Sequence, residues 1–165
     1  MKILGIDPGF DKLGYAFLSF NQGEVYKINS GIIKTSSDED LLTRLEFIYS
    51  KLDLLLKEYS PEFMVMEDLF FFKNKKTIVK VAQIQGVVLF LAKKRKIKVK
   101  ILSPLQIKKA ITGYGRADKK SVEKMLYLSL QLEKRKREDD EIDAIACALA
   151  GFFYLKSDYM KSKLK

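Results

Sequence analysis

Two turn signals of three residues each, Asp7-Pro8-Gly9 and Asn21-Gln22-Gly23, cut the first 35 residues into three extended stretches at 2–7, 13–20 and 24–35. Connections this short close antiparallel hairpins, whereas a parallel crossover needs a dozen or more residues. The chain therefore opens with three strands in a meander. A helix follows, with its N-cap expected in Ser36-Ser37-Asp38 and Glu39 and Asp40 in its first turn. Leu41, Leu45, Ile48, Leu52 and Leu55 recur at helical spacing through Tyr59, and Pro61 ends the run. Residues 62–67 read as a short buried strand, 75–96 as a second helix and 98–102 as a last strand, where Ile97, Val99 and Ile101 alternate with lysines. After Ser103-Pro104, helices are expected over 105–112, 118–132 and 139–155, with Gly113-Tyr114-Gly115 as a mobile break. The order βββ, α, β, α, β and then helices predicts an α/β protein: a mixed five-stranded sheet with helices on both faces.

The helix over 75–96 is apolar around its whole circumference, through Ile78, Val79, Val81, Ile84, Val87, Val88, Phe90 and Leu91. Such a helix lies either in the centre of a core or between a core and a subunit interface. Gly86 in its middle costs helix stability and suggests a close helix contact. In a chain of 165 residues, read as one domain over 1–165 with a short basic C-terminal tail, the second arrangement implies a homodimer.

Lysine and arginine total 31 against 21 acids, a formal net charge of +10, and the excess is local. No Asp or Glu occurs between Asp68 and Asp118, a stretch that carries thirteen Lys or Arg. A run without counter-charge gives a coherent positive field, the footprint of nucleic-acid binding, although a solvated lysine-rich surface has the same composition. No apolar run reaches the roughly 20 residues of a membrane helix. The single Cys147 sits among small apolar residues as a core thiol, consistent with a reducing cytoplasm.

Four acids stand out from this basic background. Asp7 and Glu67 each end an apolar strand, and Asp140 and Asp143 lie three apart at the start of the last helix, on one face. Any one alone has an ordinary explanation as a turn residue, a strand-end acid or a partner of a helix dipole. Together, on neighbouring elements, they would repel one another unless a cation neutralised them. All-oxygen ligands, in a chain with no histidine, select Mg²⁺, with Mn²⁺ as substitute, over Zn²⁺. Without an imidazole base, water must be activated by one or two bound ions, two lying about 4 Å apart. Phosphodiester hydrolysis of that kind leaves a 5′-phosphate and a 3′-hydroxyl.

The element order matches the ribonuclease H-like fold, and over nearly its full length the chain resembles the RuvC family of bacterial Holliday-junction resolvases. The resemblance is carried in order by Leu4-Gly5-Ile6-Asp7-Pro8-Gly9 with Gly14-Tyr15, by Met66-Glu67-Asp68-Leu69-Phe70 with Lys73-Asn74, and by Gln85-Gly86-Val87. It continues in Gln106-Ile107-Lys108, Gly113-Tyr114-Gly115-Arg116-Ala117-Asp118-Lys119 and Asp140-Glu141-Ile142-Asp143-Ala144-Ile145-Ala146. It implies a homodimer that cuts opposed strands of four-way junction DNA at a Mg²⁺ site formed by Asp7, Glu67, Asp140 and Asp143, beside a branch-migration helicase. Phe70 corresponds to the family's aromatic at the junction, with Phe71 and Phe72 adjacent. Lys108 and Lys119 match basic residues near the active site, where Lys109, Arg116 and Lys120 crowd the same region as DNA contacts. Another ribonuclease H-like nuclease, with relaxed branched-DNA or RNA preference, would use the same acids. A non-catalytic DNA-architectural module would need the basic surface but not the four acids.

Overall fold

The computed structural model describes residues 1–69, 75–133 and 135–163, with side chains for all of these but 75–77 and 157–163. The elements are β1 (Lys2–Asp7), β2 (Lys12–Asn21), β3 (Glu24–Lys34), α1 (Leu41–Tyr59), β4 (Phe63–Glu67), α2 (Lys75–Lys94), β5 (Lys98–Leu102), α3 (Pro104–Thr112), α4 (Lys119–Leu130) and α5 (Asp139–Lys163). The five strands lie in the order β3-β2-β1-β4-β5. β1, β2 and β3 pair antiparallel, as their short turns require, and β1-β4 and β4-β5 pair parallel through the helical crossovers.

Strand alternation divides the sheet between two cores. Ile3, Ala16, Leu18 and Val65 face α5 together with α3 and α4, against Ala144, Ile145, Ala148, Ile107 and Leu126. Leu4, Ile6, Phe17, Met64 and Met66 face α1 and α2, against Ile48, Leu52, Ile84, Val88 and Leu91. Each fully buried Leu, Ile or Met contributes about 1.5–3 kcal/mol. Cys147 is buried and free, as its neighbours in sequence indicated. No described helix is long and apolar enough to cross a membrane.

Several boundaries differ from expectation. The N-cap of α1 is Asp40, not a residue of 36–38, because its carboxylate accepts from the backbone N–H groups of Leu42 and Thr43. α5 continues to Lys163, two turns past the end of its apolar pattern, so the basic residues that read as a tail are helical there. In β5 the alternation is present, yet Val99 and Ile101 are exposed on the edge strand, and only Leu102 of that strand is buried. The break at Gly113-Tyr114-Gly115 is a hydrogen-bonded turn. Gly113 caps α3 in the left-handed region (φ +80°), which glycine adopts without strain. Thr112 Oγ1 bonds both the N–H and the carbonyl of Tyr114. α2 buries one face only: Val81, Ile84, Val88 and Leu91 are in the core, while Val79, Gly86 and Phe90 are exposed. A Cβ on Gly86 would meet nothing within 4 Å, so the close contact expected there is not made inside this chain.

Candidate active site

The four acids converge on one end of the sheet. Asp7 and Glu67 end β1 and β4, adjacent parallel strands in the register Ile6↔Met66. Alternation puts Asp7 on the same face as Ile3 and Gly5, and Glu67 on the same face as Val65, which is the face covered by α5. Asp140 and Asp143 occupy the first turns of α5 on that face.

The approach of α5 depends on missing side chains. A Cβ on Gly14, the strand partner of Asp7, would lie 1.9 Å from the carbonyl oxygen of Asp140. On Gly5 it would lie 2.0 Å from that of Ala144. The two glycines let the helix backbone rest on the sheet, which is what brings Asp140 and Asp143 to Asp7.

Ion pairs then fix the helix start. Glu138 is held by Lys12 of β2 (2.5 Å) and Lys34 of β3 (2.6 Å), which pull its carboxyl down to about 2. Glu141 is buried, gripped by Arg135 and accepting a hydrogen bond from Ser30 Oγ at 2.6 Å. On the other side of the sheet, buried Arg44 donates to the Phe10 carbonyl, Thr35 and Asp11 and lies over the Phe10 ring. It thereby braces the turn that follows Asp7. Gln85 of α2 donates to the Glu67 carbonyl at 3.4 Å. Sequence reading identified the acids but not Gly5, Gly14, Arg44, Glu138 or Glu141 as their supports. The one available signal was glycine inside two strands, which marks a close backbone approach.

The electrostatics are those of clustered like charges. Burial, then Asp143, Glu67 and Asp140 in turn, push Asp7 up to about 8. Burial and Asp143 push Glu67 up to about 7, against the opposing pull of Lys108 and Lys119. Asp143 is also raised, chiefly by burial, although Lys119 donates to it at 2.9 Å and reaches Asp139 at 3.2 Å. Among the described residues no three acids close into a ready cage. Lys108 of α3 and Lys119 of α4 line, with Glu67, Asp143 and Ile107, a cavity of about 240 Å³ beside the acids. Arg116 lines a second cavity, shared with Lys109, and Lys120 is exposed on the first turn of α4. The structure thus brings Lys108 and Lys119 to the acids and leaves Arg116 and Lys120 outside the cavity. Phe70, with Phe71 and Phe72, lies outside the described residues.

A sheet of this order, bearing acids at the ends of β1 and β4 and on the last helix, defines a ribonuclease H-like fold. The family model of the crossover junction endodeoxyribonuclease RuvC matches residues 3–151. A Thermosipho melanesiensis protein of that name is 43% identical over 148 residues, spanning 90% of this chain and 94% of its own. One from Fusobacterium nucleatum is 41% identical over 149 residues, spanning 90% and 78%. T. thermophilus RuvC, solved in complex with a Holliday junction substrate, is 30% identical and superposes with a TM-score of 0.90 over 96% of each chain. The chain belongs to the crossover junction endodeoxyribonuclease RuvC family.

Proposed function

We propose that this endonuclease resolves four-way DNA junctions as a homodimer in the cytoplasm, each protomer hydrolysing one strand at the groove formed by Asp7, Glu67, Asp140 and Asp143. The observation that carries this reading is the convergence of those acids, three of them with raised pKa, beside two lysines. Carboxylates whose pKa values are raised by burial and by one another fit a hard divalent cation in donor type and in charge. They would hold one or two Mg²⁺ ions, with Mn²⁺ able to substitute. When bound, Mg²⁺ supplies a water of lowered pKa and stabilises charge on the leaving oxygen.

The remaining work falls to the chain. Lys108, facing Glu67, and Lys119, held by Asp139 and Asp143, present ammonium groups to the scissile phosphate and offset the charge that develops there. Backbone ends of β1 and β4, braced by Arg44 and Gln85, keep the acids from swinging apart as the cation binds. The exposed face of α2 supplies the dimer contact, so that two sites meet two equivalent strands. A branch-migration helicase is the partner that would bring the junction to such a dimer.

The test is cleavage of a labelled synthetic four-way junction and of matched linear duplex, with Mg²⁺ or EDTA, by the wild type and Asp7→Asn. Paired symmetric nicks on the junction alone, lost in EDTA and in the variant, are expected. Equal cutting of duplex would remove junction selectivity, and cutting in EDTA would remove the metal site.

A further inference from the structure

α3 has a cavity on each side. Lys108 lines the one beside the acids, and its neighbour Lys109 points round the helix into the other. The second cavity, about 410 Å³, is lined by Leu105, Gln106, Lys109, Tyr114, Gly115 and Arg116. Tyr114 is 61% exposed, so its ring is open to a ligand in the groove. Its backbone is nevertheless fixed. The Thr112 hydroxyl bonds its N–H (3.1 Å) and its carbonyl (2.9 Å), the same carbonyl accepts from Ala117 N–H at 3.1 Å, and Gly113 caps the helix before it. On its far side, Gly115 packs closely enough that a Cβ there would stand 3.1 Å from the Leu105 carbonyl oxygen. Lys109 and Arg116 are both exposed, and neither forms an ion pair among the described residues.

We infer that this second cavity is a DNA-strand subsite in which the Tyr114 ring stacks on a nucleobase while Lys109 and Arg116 take the flanking phosphates. The inference rests on the nuclease reading above and extends it from the cut phosphodiester to the strand that runs on across α3. Three features favour a single-stranded or unstacked base over a small molecule or a protein. An aromatic face on a rigid turn is a stacking platform that costs little to order. Two exposed cations lining the same cavity as the ring suit a phosphate-bearing strand, not a neutral ligand. The cavity lies just across α3 from the one holding Glu67 and Lys108, and a helix is only about 10–12 Å wide, roughly two nucleotides of chain.

The test is junction binding in EDTA, where nothing is cut, by wild type, Tyr114→Phe, Tyr114→Leu, Lys109→Gln and Arg116→Gln. Junctions carry 2-aminopurine at successive positions in each arm near the branch point. Stacking predicts that wild type and Tyr114→Phe quench the probe at one position, and that Tyr114→Leu loses the quench with roughly tenfold affinity or more. Each cation variant should lower the slope of log affinity against log salt by about one. Tyr114→Leu with wild-type affinity and unchanged quenching would overturn the assignment. So would Tyr114→Leu binding as well as Tyr114→Phe, which would make the ring mere apolar cover. Since the ring is exposed, loss of folding is not expected, and the melting temperatures of the variants check this. A wild-type protein that neither binds nor cuts junctions defeats the nuclease reading instead, so the two failures are distinguishable.

Discussion

At the scale of single residues, Asp7 carries the strongest upward push among the four acids. Held at about 8, it keeps a proton between pH 4 and 8 that the unfolded chain releases, and Glu67, at about 7, does the same over a narrower window. The folded form binds more protons there, so without metal its stability falls as pH rises through that window. Asp7→Asn removes the charge and should stabilise the metal-free protein by several kcal/mol at pH 8, at about 1.4 kcal/mol per pH unit across the window, and by much less at pH 5. Denaturant unfolding at both pH values checks this, and the same variant should cut no junction. Metal binding must displace the retained protons. Mg²⁺ affinity should therefore rise between about pH 6 and 8, with proton release at pH 7 that calorimetry detects as a buffer-dependent heat. The acids were legible in sequence because each ends an apolar run or opens one. Their shifted pKa values were not, because these depend on burial and on neighbours far along the chain.

At the scale of elements, the antiparallel meander followed from turn lengths, but its two outer strands both offered an edge, and only the structure shows that β4 and β5 extend it from β1. Helix ends were less legible. Ser36, Ser37, Asp38 and Asp40 all have capping side chains, and only the three-dimensional path selects Asp40. The lysine-rich end of α5 carries no apolar signal to mark it as helix. What sets the site, the seat of α5 on the sheet, is a tertiary contact between Gly14 and Asp140 that no local pattern reports. Gly14→Ala should lift the start of α5, since backbone lies 1.9 Å from the new Cβ and neither side can yield freely. A loss of about 2–4 kcal/mol is expected, together with loss of cleavage even where the protein remains folded. Glu141→Ala, which strands Arg135 and buried Arg137, should cost about 3–5 kcal/mol. Thermal unfolding and junction cleavage measured on both variants separate a displaced helix from an unfolded chain.

At the scale of the whole molecule, charge and symmetry act together. A net charge of +10 draws the chain to DNA of any shape, so selectivity for a junction must come from geometry, and in the proposed homodimer two sites at a fixed separation would supply it. One protomer leaves Phe90 65% exposed and Val79 59% exposed on α2, and with Leu45 and Tyr49 of α1 this face forms a shallow groove around Gly86 and Val87. Gly86→Glu tests that face cleanly. The added side chain meets nothing within its own chain, and replacing glycine inside a helix gains roughly 0.5 kcal/mol in propensity, so the protomer should fold at least as well as before. In a dimer packed on this groove, two new carboxylates would be buried without partners. The variant should run as a monomer by light scattering, with unchanged helix content. On a plasmid carrying a cruciform, wild type should give linear product from paired nicks, and Gly86→Glu should give nicked circles from single cuts. A variant that stays dimeric and still linearises the plasmid would move the interface off α2 while leaving the hydrolytic site where it is.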